Sequence, residues 1–373
     1  MESDHSSRLH GLDHLRALAI VLVFFYHYRI PIYGHPAWLD DAVKFGWTGV
    51  DLFFVLSGFL ISSQLFAQIQ RGATISFKDF FLKRVFRIIP AFLLVVSIYF
   101  LWDGFHEREA LLPLWRYLMF TQNFDLDLVR FGTFSHAWSL CVEEHFYFFL
   151  PLTLIALQFT KRLKHSYWIL IVLFIFGLIL RHSIWMNAYL PNIDQPSAGI
   201  TWYKYIYYPT YCRLVGLLIG VSIAAMYQFL PSLWKKISQF GNIVFVAGIV
   251  VLIGAYYICF DEHSYLASVI GFPLVSIGYG LLVMSAISPT SFLYKWRSRA
   301  TALVATLSYA IYLSHKGIIH VTQNLLQGAI DPESNKMLLM CAAACILAAL
   351  LLNIIIERPF LRLRTIVVKR TTE

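Results

Sequence analysis

Apolar positions come in long runs along this chain, and the runs set its elements. Stretches long enough to cross a bilayer as helices occupy roughly 15–34, 47–69, 88–103, 137–159, 166–181, 206–229, 240–259, 264–286, 301–321 and 337–356. Short polar segments separate them. There is no internal repeat, no low-complexity tract and no loop the size of a soluble domain. The pattern predicts an all-α fold, a polytopic membrane bundle of about ten transmembrane helices. Its helical core covers about 15–356 of a single domain, 1–373. The first run follows a short polar start with no small-residue cleavage site, so it reads as a retained helix.

Composition supports this. The chain has 373 residues, 58% of them hydrophobic and only 14% charged. A soluble chain of this length needs more polar surface. Five cysteines (Cys141, Cys212, Cys259, Cys341 and Cys345) lie in or beside apolar runs. They lack metal-ligand spacing and are odd in number, which predicts buried apolar side chains and no full disulfide set.

Charge orients the bundle. With the N-terminus in the cytoplasm, the inner side holds Arg8, Arg16, "RGATISFKDFFLKRVFR" (71–87), "KRLKH" (161–165), Lys235, Lys236, "KWRSR" (295–299) and the tail "ERPFLRLRTIVVKR" (357–370). The acidic Asp103, Glu107, Glu109, Asp125 and Asp127 fall outside. This is the asymmetry of the positive-inside rule, and it predicts both termini to be cytoplasmic. The net charge of +9 then reports orientation. No single long basic face suits a nucleic acid.

Several ionisable residues nevertheless sit inside apolar runs, where charge is costly and usually marks function. His27, Asp51, Glu143, Glu144, Arg213 and His315 are expected in one layer in the outer half of the membrane. Such a layer predicts a polar cavity with acid/base capacity. Arg16 belongs to the other side. Eleven residues separate it from His27, almost three helical turns, so the two share a face roughly 16 Å apart. Arg84 and Arg87, three apart, share a face at the inner end of the third helix. Three arginines at one surface suit a phosphate-rich ligand. The expected picture is one channel with an anion clamp at its inner end and an imidazole far above it.

At this point the residues resemble the acyltransferase-3 family of membrane acyltransferases. The resemblance runs over about residues 8–360. It is carried in order by "GLDHLRALAIVLVFFYH" (11–27), "GVDLFFVLSGFLI" (49–61), "FLKRVFRIIP" (81–90), "AWSLCVEEHFYFFLP" (137–151), "YPTYCRLVGLLIG" (208–220), "SYAIYLSH" (308–315) and "ERPF" (357–360). His145 stands where glutamine is common, and Val215 where aspartate is frequent. Members often carry an extracellular hydrolase-like domain after the last helix. This chain ends soon after Pro359, so none is expected here.

The resemblance implies a bacterial inner-membrane enzyme. It would transfer an acyl group, most often acetyl, from cytoplasmic acyl-CoA to a hydroxyl of a glycan or lipid-linked sugar. No cofactor is expected to stay bound; acetyl-CoA or another acyl-CoA is the donor substrate. The expected partners are that donor, the hydroxyl acceptor and the bilayer. On this reading His27 is general base. Glu143 or Asp51 orients it, Glu143 being the glutamate that matches the family motif. Arg16, Arg84 and Arg87 hold the CoA phosphates. Arg213, His315, Trp138 and Ser139 stabilise the oxyanion or hold the sugar. Aromatics in the outer segments, as in "TWYKYIYYPTY" (201–211), are expected mainly as an interfacial belt. The rival class is a secondary transporter or proton-coupled carrier, which would also use intramembrane His, Glu and Arg. The inverted repeats and broken helices common in transporters are not evident.

Overall fold

The computed structural model describes residues 9–30, 34–162 and 166–372. Arg8, positions 31–33 of the first expected span and the end of the 161–165 basic run lie outside them. Among the described residues the architecture is helical and contains no strand. The main helices are α1 (His10–Tyr28), α2 (Gly49–Gln70), α3 (Phe77–Leu101), α4 (Trp138–Phe159), α5 (Tyr167–Ile184), α6 (Val215–Phe229), α7 (Gly241–Ile258), α8 (Phe272–Ala286), α9 (Arg299–Leu326), α10 (Asn335–Leu352) and α11 (Arg358–Thr372). Eight helical stretches are long and apolar enough to cross a membrane. A ninth follows if α6 and the helix Pro231–Ser238, bent from it by 106°, count as one. The expected span count of about ten is therefore close. α1, with Asp13, His14, Arg16 and His27 among its 19 residues, is not among the nine.

Local chemistry sets several boundaries. Ser76, Ser298 and Ser334 cap α3, α9 and α10, each hydroxyl accepting a backbone N–H of the first turn. The Ser76 cap starts α3 at Phe77, well before the expected 88, because "FKDFFLKRVF" forms an amphipathic first half. α1 stops at Tyr28, short of the expected 34. The expected run 206–229 is broken at Pro209, which is extended and precedes the four-residue helix Thr210–Arg213.

Burial sorts the helices. The apolar windows of α8, α9 and α2 are 72%, 61% and 56% buried within the protein, those of α5 and α7 only 11% and 17%. The first three form the core, and the last two present Leu, Ile, Val and Phe side chains outward, as a lipid-facing rim does. Close backbone approach holds the core together. A Cβ on Gly58 would lie 2.2 Å from the Leu217 carbonyl oxygen, and one on Gly220 2.3 Å from that of Val55. The α2–α6 crossing thus depends on small residues, as expected where lipid supplies no hydrophobic drive between helices. All five cysteines are free and buried, as expected. α1 lies against α2, α8 and α9, which places both Arg16 and His27 on the core.

Candidate active site

The channel expected between Arg16 and His27 is two cavities with no lining residue in common. The one at the Arg16 end measures about 140 Å³. Arg16, Arg84, Arg87, Ser57, Gln64, Ser139, Glu143, Tyr147, Tyr309 and Tyr312 are among its walls. All three arginines of the expected clamp therefore converge. Arg84 reaches the Gln64 amide oxygen at 3.5 Å and lies over the Tyr147 ring, while its Nε is buried with no hydrogen-bond partner among the described residues. An unpaired buried donor in a cavity with two more guanidinium groups is the chemistry that takes an anion.

Glu143 faces this same cavity and not His27. Its two carboxylate oxygens accept from Ser57 at 3.1 Å and Tyr147 at 2.8 Å. Asp51 does not orient His27 either. It receives a two-oxygen hydrogen bond from Arg213 at 2.9 and 3.0 Å, and both residues are buried. The expected layer therefore splits, since each buried carboxyl has settled against its nearest donors. Arg213 lines neither cavity. Its guanidinium lies 4.1 Å from the Phe272 ring centre, 4.7 Å from Tyr207, 5.4 Å from Trp138 and 5.9 Å from Trp47. The last three rings line the cavity at the His27 end, so the Asp51–Arg213 pair is a support behind that wall.

His27 sits in the last turn of α1, nearer the helix end than expected, and lines the larger cavity, about 430 Å³. Its Nδ1 lies 2.8 Å from Nε2 of His315. His315 Nδ1 faces two backbone carbonyl oxygens, of Ile311 at 3.0 Å and Tyr312 at 2.9 Å. Carbonyls only accept, so His315 Nδ1 carries the proton and, in a neutral ring, Nε2 is the bare acceptor. His27 Nδ1 must then be the donor. That leaves the lone pair on His27 Nε2, which is the form a general base needs. The orienting group is a second imidazole, where a carboxylate was expected.

His136 completes this cluster, with its ring centre 5.8 Å from His27 and 4.8 Å from His315. Its Nε2 donates to the Leu313 carbonyl at 3.3 Å, and its buried Nδ1 has no partner among the described residues. Sequence reasoning missed His136. The one available signal was its place directly before the tryptophan motif. Beside the cluster, Lys316 pairs with Glu107 at 2.9 Å, and Glu107 also accepts the Phe134 N–H. Tyr26, Trp47, Trp138, Tyr203, Tyr207 and Tyr208 supply rings to the cavity. Three of the five tyrosines of 201–211 thus line a site, beyond any interfacial belt.

The bundle thus carries two clusters of opposite character, guanidinium groups at one cavity and imidazoles with aromatic rings at the other. A family model described as an acyltransferase domain matches residues 9–358. The chain belongs to this acyltransferase family. It is similar to the peptidoglycan O-acetyltransferase OatA of Listeria monocytogenes, 29% identical over an alignment of 362 residues that covers 91% of this chain and 54% of that relative. It is also similar to the O-acetyltransferase OatA of Staphylococcus aureus strain NCTC 8325, 28% identical over an alignment of 350 residues that covers 88% of this chain and 54% of the relative. The chain thus spans about half the length of the curated relatives it matches. No solved structure matches it. Within the acyltransferase match, Arg16, Arg84, Arg87, Ser139 and Glu143 gather in one cavity, while His27 and Trp138 line the other. His315 acts on His27 from behind the second cavity, and Asp51 and Arg213 stand behind its wall.

Proposed function

We propose that this protein is a membrane O-acetyltransferase acting on a cell-envelope glycan, with peptidoglycan the first acceptor to test. The name of the Listeria relative supports that acceptor. In this reading the Arg16 end faces the cytoplasm of the inner membrane and receives acetyl-CoA. Arg16, Arg84 and Arg87 hold its phosphates, and the thin pantetheine arm points the thioester towards His27.

Chemistry then follows from the tautomer. His27 Nε2 takes the proton of the acceptor hydroxyl as its oxygen attacks the thioester carbonyl. The tetrahedral intermediate collapses, the carbon–sulfur bond breaks, and the thiolate recovers the proton from His27. His315 keeps Nδ1–H occupied throughout, so only Nε2 can act. The wall of rings suits stacking against sugar faces.

The observation that carries this reading is the His27–His315 contact placed at one cavity, with three arginines at the other. The test is acetyl transfer from labelled acetyl-CoA to soluble glycan strands by the protein in nanodiscs. His27→Ala is expected to lower turnover by about 10²–10⁴, the usual contribution of a general base, with acetyl-CoA binding retained. Turnover near the native rate in that variant would remove His27 from the chemistry.

A further inference from the structure

Between the two cavities stands a wall made by two packed side chains, Tyr312 on one side and His136 on the other. Tyr312 and Ser139 line the smaller cavity, His136 and Trp138 the larger. The Tyr312 and His136 ring centres are 5.6 Å apart, edge to face. The Ser139 and Tyr312 hydroxyls are 2.6 Å apart, and the Tyr312 hydroxyl donates to the backbone carbonyl of His136. A phenol has one proton, so Ser139 must donate to Tyr312, and the two hydroxyls close a directed chain across the gap. Phe53 braces the Tyr312 ring from the side, 6.3 Å between centres. Tyr312 and Ser139 are each 5% exposed.

We infer that Tyr312, latched by Ser139, is the residue that makes this enzyme select a glycan hydroxyl over water. The inference rests on the acetyltransfer reading and extends it. A base that activates a sugar hydroxyl activates water equally well, and water fills the larger cavity whenever the acceptor is absent. In that side reaction water oxygen bonds to the acyl carbon, the carbon–sulfur bond breaks, and acetic acid and free CoA thiol leave. Keeping the thioester behind the Tyr312 ring until the acceptor has displaced water prevents this. Tyr312 needs only a side-chain rotation to open the way, because its hydrogen bonds run through its terminal hydroxyl.

Two measurements test this on the full chain. In the first, Ser57→Cys places a thiol in the smaller cavity of protein oriented in proteoliposomes, where the five native cysteines are buried. A membrane-impermeant maleimide should label it from the Arg16 side only; adding Tyr312→Ala should admit label from both sides. Labelling from both sides with Tyr312 in place would overturn the wall, whatever the catalytic activity. In the second, acceptor-free release of CoA thiol from acetyl-CoA should rise about ten- to a hundredfold in Tyr312→Phe, on the scale of the two hydrogen bonds the phenol makes. Ser139→Ala, which leaves the ring and the His136 bond in place, should rise less. Acceptor-free release at the native rate in both variants, with acetyl-CoA still bound, would overturn the selectivity role. Native protein that binds no acetyl-CoA would instead overturn the acetyltransfer reading, and this role with it.

Discussion

At the Arg16 end the smaller cavity is walled by three guanidinium groups, a hydroxyl-bonded carboxyl and several further hydroxyls. At the His27 end the larger cavity is walled by six aromatic rings, three imidazoles and the Lys316–Glu107 pair. The first wall concentrates positive charge and suits an anion. The second offers ring faces for dispersion contacts and the bare nitrogens of His27 and His136. Both are built on the same few helices: α1 carries Arg16 and His27, α4 carries Glu143 and Trp138, and α9 carries Tyr309 and the backbone that holds His315. A substitution should therefore disturb the properties of its own cavity and spare those of the other.

The largest expected effect is on the support behind the larger cavity. Asp51→Ala strands Arg213 as an unpaired buried charge, a loss of about 3–5 kcal/mol, read as a fall in detergent melting temperature. Asp51→Asn should lose less. If Asp51→Ala melts like the native protein, the pair holds up no wall. Next comes the anion clamp. Arg84→Ala should raise KM for acetyl-CoA by roughly ten- to a hundredfold, since a hydrogen bond to a charged group contributes about 1.5–3 kcal/mol. KM for the glycan should stay near native; equal changes in both constants would dissolve the contrast between the cavities. The mirror experiment is Tyr203→Ala, which removes one ring from the acceptor wall. It should raise the glycan KM several-fold, for an aromatic contact of about 0.5–1.5 kcal/mol, without touching acetyl-CoA binding measured directly.

The smallest effect belongs to the segments joined by the Lys204–Asp125 pair. Lys204 pairs with Asp125 at 2.7 Å, and that carboxylate holds its ammonium above the ordinary lysine range. Asp125 is largely exposed, so Lys204→Ala should change stability by less than about 1 kcal/mol. A larger loss of melting temperature would mean that these segments are part of the packed core.

Much of the site was legible because it obeys helical spacing. Arg16 and His27 share a face through their separation alone, and Arg84 with Arg87 does the same. Apolar runs far longer than a strand announced membrane helices, and even the free buried cysteines followed from their settings. The failures have one cause. Partners across helices were assigned by depth, yet a carboxyl bonds to the nearest donor, which depth does not specify. So Asp51 went to Arg213, Glu143 to Ser57 and Tyr147, and His27 to His315. Arg213 was expected within a continuous helix, but Pro209 leaves it at a break. Tyr312 lay inside a quoted motif without drawing notice, because its importance comes from what stands on its far side.

The sequence by itself determined the helices, the class of protein and which ionisable groups must be buried, because bilayer length and the cost of charge in hydrocarbon act on any chain locally. Only the tertiary structure decided that the expected passage is two cavities with Tyr312 between them, and that His27 keeps its Nε2 lone pair free. Both depend on side chains more than a hundred residues apart meeting within 3 Å, and no local preference encodes such a meeting.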